Sequence, residues 1–251
     1  MSTSQWPSDP GRSADDEFDF HVDHLDADAE KSRAFSLHVS LNQDSYVPLA
    51  EHHSAGGAHS YYVLFDSSAT WGHPGDPHFL AVHLHRDQER ATFDFEYTQL
   101  PLVPMAQSWL IHRGCPSENI AFSHEIGPRP ADEITTALEQ RLVSDGDHFA
   151  MGLSYTEDDP NDYVTLVVLR AMDERAPSRY RVLVEEVDVD LNTYTLREGG
   201  FSTVEEARRW YTERLGGKAG PLPPVRATST PPLPATFPAK PPAERPPGRL
   251  F

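Results

Sequence analysis

Hydrophobic and polar residues alternate over Ala34–Leu41, where Phe35, Leu37, Val39 and Leu41 stand against Ser36, His38 and Ser40. A period of two predicts a half-buried strand there. Residues 42–59, with Pro48, Gly56 and Gly57, read as a long loop. Strands are predicted at Tyr61–Asp66, His78–Arg86 and Ala91–Tyr97, the last two joined by the short polar turn Asp87–Arg90. A helix follows over Val103–Arg113, with Pro104 at its start and Gly114 past its end. That is the usual asymmetry of helix termini.

The same order recurs further on. Ile134, Leu138 and Leu142 lie on one face of a helix predicted near 131–143. Strands are predicted at His148–Tyr155, Asp162–Ala171, Arg179–Val189 and Asn192–Arg197, the last broken by Gly199-Gly200. Ser202 and Glu205 have the spacing of a capping box. The helix they open runs to Leu215, with Val204, Ala207, Trp210 or Tyr211, and Leu215 facing inward.

The two halves also align residue by residue. At an offset of 101, Thr92, Val103, Ala106, Trp109 and Arg113 fall on Thr193, Val204, Ala207, Trp210 and Arg214, and Tyr62-Val63 falls on Tyr163-Val164. A repeat changes the expected architecture, so it takes priority over single elements. The expected fold is α+β: two tandem units of four antiparallel strands and a packing helix, joined edge to edge. The expected boundaries are an acidic disordered segment over 1–33, a first unit over 34–116, a connector with its helix over 117–147, a second unit over 148–217 and a Pro-rich disordered tail over 218–251.

Composition supports the two arms. Residues 1–30 hold nine Asp or Glu against one Arg, and residues 220–251 hold 11 of the 23 prolines. Neither stretch has the apolar surface to offset the entropy of ordering. Formal net charge is −18, split into about +4 from Lys218 onward and about −22 before it. An acidic body repels phosphate backbones, which argues against direct nucleic-acid binding and suits a basic protein partner or a metal cation. No stretch reaches the roughly 20 apolar residues of a membrane span, and the N-terminus lacks the pattern of a signal peptide. With a single cysteine, Cys115, no internal disulfide can form, and the expected location is the cytoplasm.

The densest candidate chemistry is His83-Leu84-His85 with Asp94 and Glu96 on the next strand. Residues two apart on a strand share a face, so these four form a candidate divalent-metal site, with His38 on the equivalent face of the first strand. The corresponding residues of the second half are Val184, Glu186, Thr195 and Arg197, so the repeated pattern itself does not call for the cluster. There is a conflict, because Val184 reads as inward-facing and His83 would then point inward too. Cys115 follows a helix C-terminus, where the dipole raises a thiol pKa, so it reads as structural. The chain ends in Leu250-Phe251 at the tip of a Pro-rich tether, a candidate partner-docking pair. Phosphate-binding loops, nucleophile elbows and dinucleotide fingerprints are absent from the sequence.

These features favour a non-enzymatic acidic protein-binding module of the inhibitor, immunity or chaperone-like adaptor kind, with no cofactor. A metal-dependent hydrolase built on His83, His85, Asp94 and Glu96 is the alternative. An assembly subunit docking through its tail is a third.

Overall fold

The computed structural model describes residues 19–225, apart from 74, 123–126, 145–147, 160–161, 175 and 177. The fold is α+β, with one sheet of four antiparallel strands and one mixed sheet of five. The first half runs α1 (Ala29–Phe35), a π turn (Ser36–Ser40), β1 (Tyr46–His53), β2 (His59–Asp66), the short α2 (Ala69–Gly72), β3 (Phe79–Asp87), β4 (Thr92–Leu100) and α3 (Val103–Ile111). The second runs β5 (Arg129–Pro130), α4 (Glu133–Ser144), β6 (Phe149–Asp159), β7 (Asp162–Ala171), β8 (Tyr180–Asp188), β9 (Thr193–Phe201) and α5 (Val204–Leu215). Strand order is β1-β2-β3-β4 in one sheet and β5-β9-β8-β7-β6 in the other.

Residues 34–41, predicted as a strand, are helical instead. Asp28 accepts from the backbone N–H of Glu30 and Lys31 and starts α1. The apparent alternation hides an i,i+4 pair: Phe35 and Val39 are buried, while Leu37 and Leu41 are exposed. Residues 19–33, expected to belong to a disordered arm, carry buried Phe20 and Leu25. Arg86, itself buried, holds them in place by donating to the Phe20 carbonyl at 2.7 Å. The missing fourth strand of the first half is β1, inside the predicted loop. Its Pro48 is tolerated because β1 is an edge strand with a bulge between Pro48 and Ala50.

Both sheets are covered on both faces. On one face of the first sheet, Tyr61, Val63, Phe65 and Ala81 meet Ala106 and Leu110 of α3. On the other, Tyr62, Leu64, Leu80 and Val82 meet Phe20, Phe35 and Val39. In the second sheet, Val167, Leu169, Leu183 and Leu196 meet Leu138 and Leu142 of α4, and Leu166, Val168, Val182 and Val184 meet Ala207 and Trp210 of α5. Each large apolar side chain so buried contributes roughly 1.5–3 kcal/mol. The two halves do not join edge to edge as expected. They stack through α3 and α4, which pack on each other between the sheets, and Leu102 from the start of α3 sits in the core of the second half.

Local details of the second half also differ from expectation. Thr135 rather than Ile134 is the buried residue of the first turn of α4. The capping box of α5 is Thr203 with Glu206, one residue later than predicted. Leu215 is exposed. Strand β9 runs through Gly199-Gly200 instead of breaking there. The glycines let residues 222–225 cross the strand closely: a Cβ on Gly200 would lie 2.9 Å from the Val225 Cα.

The same local devices occur in both halves. The β3–β4 and β8–β9 turns each end in a left-handed residue, Ala91 (φ 50°) and Asn192 (φ 51°). The carbonyls of these two residues accept from the backbone N–H of Asp26 and Arg129, each in a short parallel bridge to the start of the last strand. An aspartate cap and a helix follow each bridge, Asp28 before α1 and Asp132 before α4. The bulge of β1 between Pro48 and Ala50 has its counterpart in β6 between Met151 and Leu153. Tyr62 and Tyr163 do not correspond, however. Tyr62 pairs with Val82 in the middle of its hairpin, whereas Tyr163 pairs with Val187 at the open end of its own.

Candidate functional site

Two places concentrate chemistry, and both lie on the α3 side of the first sheet. The first is the histidine patch. Strand register sets His59 opposite His85 and His85 opposite Asp94, with Tyr61, His83 and Glu96 forming the next rung. The predicted quartet His83, His85, Asp94 and Glu96 therefore shares one face. His83 does point to the inward, α3 face. Its ring lies parallel to Tyr61, with centroids 4.6 Å apart. His38 is on the opposite face, stacked on Tyr97.

The sequence did not single out His59. Its Nδ1 lies 3.0 Å from His83 Nε2, and its ring centroid is 4.8 Å from that of His85. His59, His83 and His85 line one open concavity with Asp94 and Glu96. Loss of hydration lowers the pKa of His83 to about 4, with repulsion from His59 second. His59 is lowered by burial and then by His85. The two rings are neutral at pH 7. Both carboxylates already have cations: Lys31 Nζ is 2.5 Å from Asp94, and Arg113 Nε is 2.8 Å from Glu96. The hydrogen bond from Lys31 holds the Asp94 carboxyl below its usual range. Among the described residues, no three His, Cys, Asp or Glu side chains are placed to hold one ion together.

The second place is a cleft of about 200 Å³ between α3, α4 and the edge strand β6. Trp109, Met105 and Leu100 form one wall, and Leu142, Phe149 and Met151 the other. The Arg113 guanidinium lies 3.4 Å from the Trp109 ring centroid while it also holds Glu96. That cation–π contact keeps the indole fixed at the mouth. Ser108 also lines the cleft. It is 2% exposed, and its Oγ has no hydrogen-bond partner among the described residues. A buried hydroxyl without a partner is costly, and Ser108 joins His112 and Arg113 as the polar residues of a cleft whose other lining side chains are apolar. Trp109 was legible only as a repeated core residue, and the pattern placed nothing at Ser108.

Cys115 is buried, and burial pushes its thiol up to about 11, with Glu118 adding to the shift. It is protonated at neutral pH, in keeping with a structural cysteine. The candidate docking pair Leu250 and Phe251 lies outside the described residues. No helix among the described residues is long and apolar enough to cross a membrane. No family model, no curated protein and no solved structure matches the chain.

Proposed function

We propose that the protein is a non-enzymatic binding module, built from two copies of one unit, that takes an extended segment of another protein into the cleft between α3, α4 and β6. The observation that carries this reading is the Ser108 hydroxyl, unpartnered among the described residues, in a mostly apolar cleft. A cleft of about 200 Å³ is below the roughly 300–1,000 Å³ usual for small-molecule sites. It suits one large apolar side chain, with Ser108 meeting a polar backbone group beside it. Strand β6 ends its sheet, and although its Thr156 N–H is taken by the Gly75 carbonyl at 3.2 Å, the outer backbone groups nearer its start at Phe149 can pair with an extended partner strand. Trp and Arg are the residue types most often found as interface anchors, and here Trp109 and Arg113 stand together at the mouth. The net charge of −18 favours encounter with a basic partner.

Duplication of the unit is supported by the matched turns, bridges, caps and bulges of the two halves. They recur at positions that side-chain identity alone would not select.

A photo-crosslinking residue in place of Met151 tests the binding site. Cross-links to a single short segment of one host protein, lost when Trp109 is replaced by Ala, are the expected result. Cross-links scattered over many proteins and unaffected by Trp109→Ala would contradict it.

A further inference from the structure

We propose that His59 and His83 form a binding site for a divalent transition metal of the kind imidazole prefers, zinc, nickel or copper. The site stands apart from the cleft and does not depend on the protein-binding reading. Its basis is the approach of two ring nitrogens from adjacent strands, His59 Nδ1 and His83 Nε2, at 3.0 Å. Two imidazole nitrogens bound to one metal at about 2.0–2.1 Å each lie close to that separation, so a small rotation of the rings opens room for the ion. Both residues are placed by the backbone ladder, and His83 is further fixed by the Tyr61 ring against it. The donors are therefore preorganised on rigid strands.

The proton balance is simple. One ring now donates its N–H to the other. On metal binding that proton passes to the far nitrogen of its own ring, and both facing nitrogens present lone pairs. His85 lies opposite His59 and is exposed, its ring centroid 4.8 Å from that of His59, so a change of its side-chain rotamer would be needed to bring it in as a third ligand. Water completes the coordination. Asp94 and Glu96 are not ligands here, because Lys31 and Arg113 hold them. This separates the site from the expected hydrolase quartet, which used both carboxylates and left out His59. A softer, nitrogen-rich donor set selects zinc, nickel or copper over magnesium or calcium.

The test is titration of the full-length protein with zinc and with nickel by calorimetry, with nitrogen NMR of the histidine rings as a second readout. One equivalent of metal is expected, with shifts at His59 Nδ1 and His83 Nε2. Replacement His59→Ala or His83→Ala lowers the affinity by about tenfold or more, a loss of about 1.4 kcal/mol or more. His85→Ala has a smaller effect, and Asp94→Asn and His38→Ala have none. His59→Gln and His83→Gln, which keep side-chain length and polarity, guard against misfolding and lose binding equally. Absence of stoichiometric binding to the wild-type protein would overturn the proposal. So would binding that survives His59→Gln and His83→Gln, or shifts confined to other histidines.

Discussion

Ala91 and Asn192 adopt the same left-handed backbone, φ 50° and 51°, at the ends of the β3–β4 and β8–β9 turns, and each carbonyl accepts from a residue leading into a helix. Thr92 and Thr193, which begin the strands that follow, belong to the alignment of the two halves. Asparagine tolerates this region, whereas alanine pays for its Cβ.

The two turns should therefore respond in opposite ways. Ala91→Gly is expected to raise stability by about 1 kcal/mol by relieving the left-handed strain. Asn192→Val should lower it by about 1–2 kcal/mol, since a β-branched side chain fits this region worst. Urea unfolding of both variants checks the pair. A loss of stability in Ala91→Gly would show that the turn does not have this conformation.

Gly199 and Gly200 differ in what a methyl group would meet. On Gly200 it would lie 2.5 Å from Ser178 Oγ and 2.9 Å from the Val225 Cα, whereas on Gly199 the nearest atom is the side-chain tip of Leu222 at 2.6 Å. Backbone yields less than a side-chain tip, so Gly200→Ala should cost about 1–3 kcal/mol and Gly199→Ala less. Thermal unfolding of the two variants ranks them. Removing residues 220–251 should erase the difference arising from Val225.

Between the two halves, Glu185, Glu139 and Tyr194 line one small cavity, and Tyr194 Oη donates to Glu139. Glu185 keeps some accessible surface on the cavity wall, yet protein encloses its carboxyl. Loss of hydration pushes its pKa up to about 8, and the Glu139 charge adds to the shift. The unfolded chain ionises this group near the ordinary value of 4.5. From there up to about pH 8 the folded state holds the extra proton, so stability falls as pH rises and levels off above the folded pKa. The slope reaches at most about 1.4 kcal/mol per pH unit. In Glu185→Gln this part of the slope should vanish, leaving the variant more stable than wild type at pH 8 and little changed at pH 4. Unfolding curves across that range decide it. An unchanged slope would mean that Glu185 is ionised in the fold.

Much of the fold was legible because the strands of the second half are long and each is bounded by polar or glycine signals. The first helix was not, because Phe35, Leu37, Val39 and Leu41 satisfy a strand period and a helix period at once, and only Phe35 and Val39 are buried. Strand β1 was hidden by Pro48 and the bulge at Leu49, which break the alternation. One signal that the first sheet is covered on both faces was present. Tyr61 to Phe65 is an unbroken apolar run, as expected of a strand buried on both sides. The histidine patch was partly visible, since His83 and His85 share a strand face. His59 joins it only through a register that no local pattern specifies. Ser108 was invisible for the same reason: its meaning comes from the wall that α4 and β6 build opposite it.

The most direct measurement is binding of the captured partner to wild-type, Ser108→Ala and Trp109→Ala proteins, read beside their stabilities. Removing an unpartnered buried hydroxyl stabilises the free protein, by about 1 kcal/mol, while it removes a bond to the partner. Ser108→Ala should therefore be more stable than wild type and bind more weakly by about tenfold, with Trp109→Ala weaker still. Unchanged binding in both variants, with stability moved as expected, would contradict the account and place the recognition surface elsewhere.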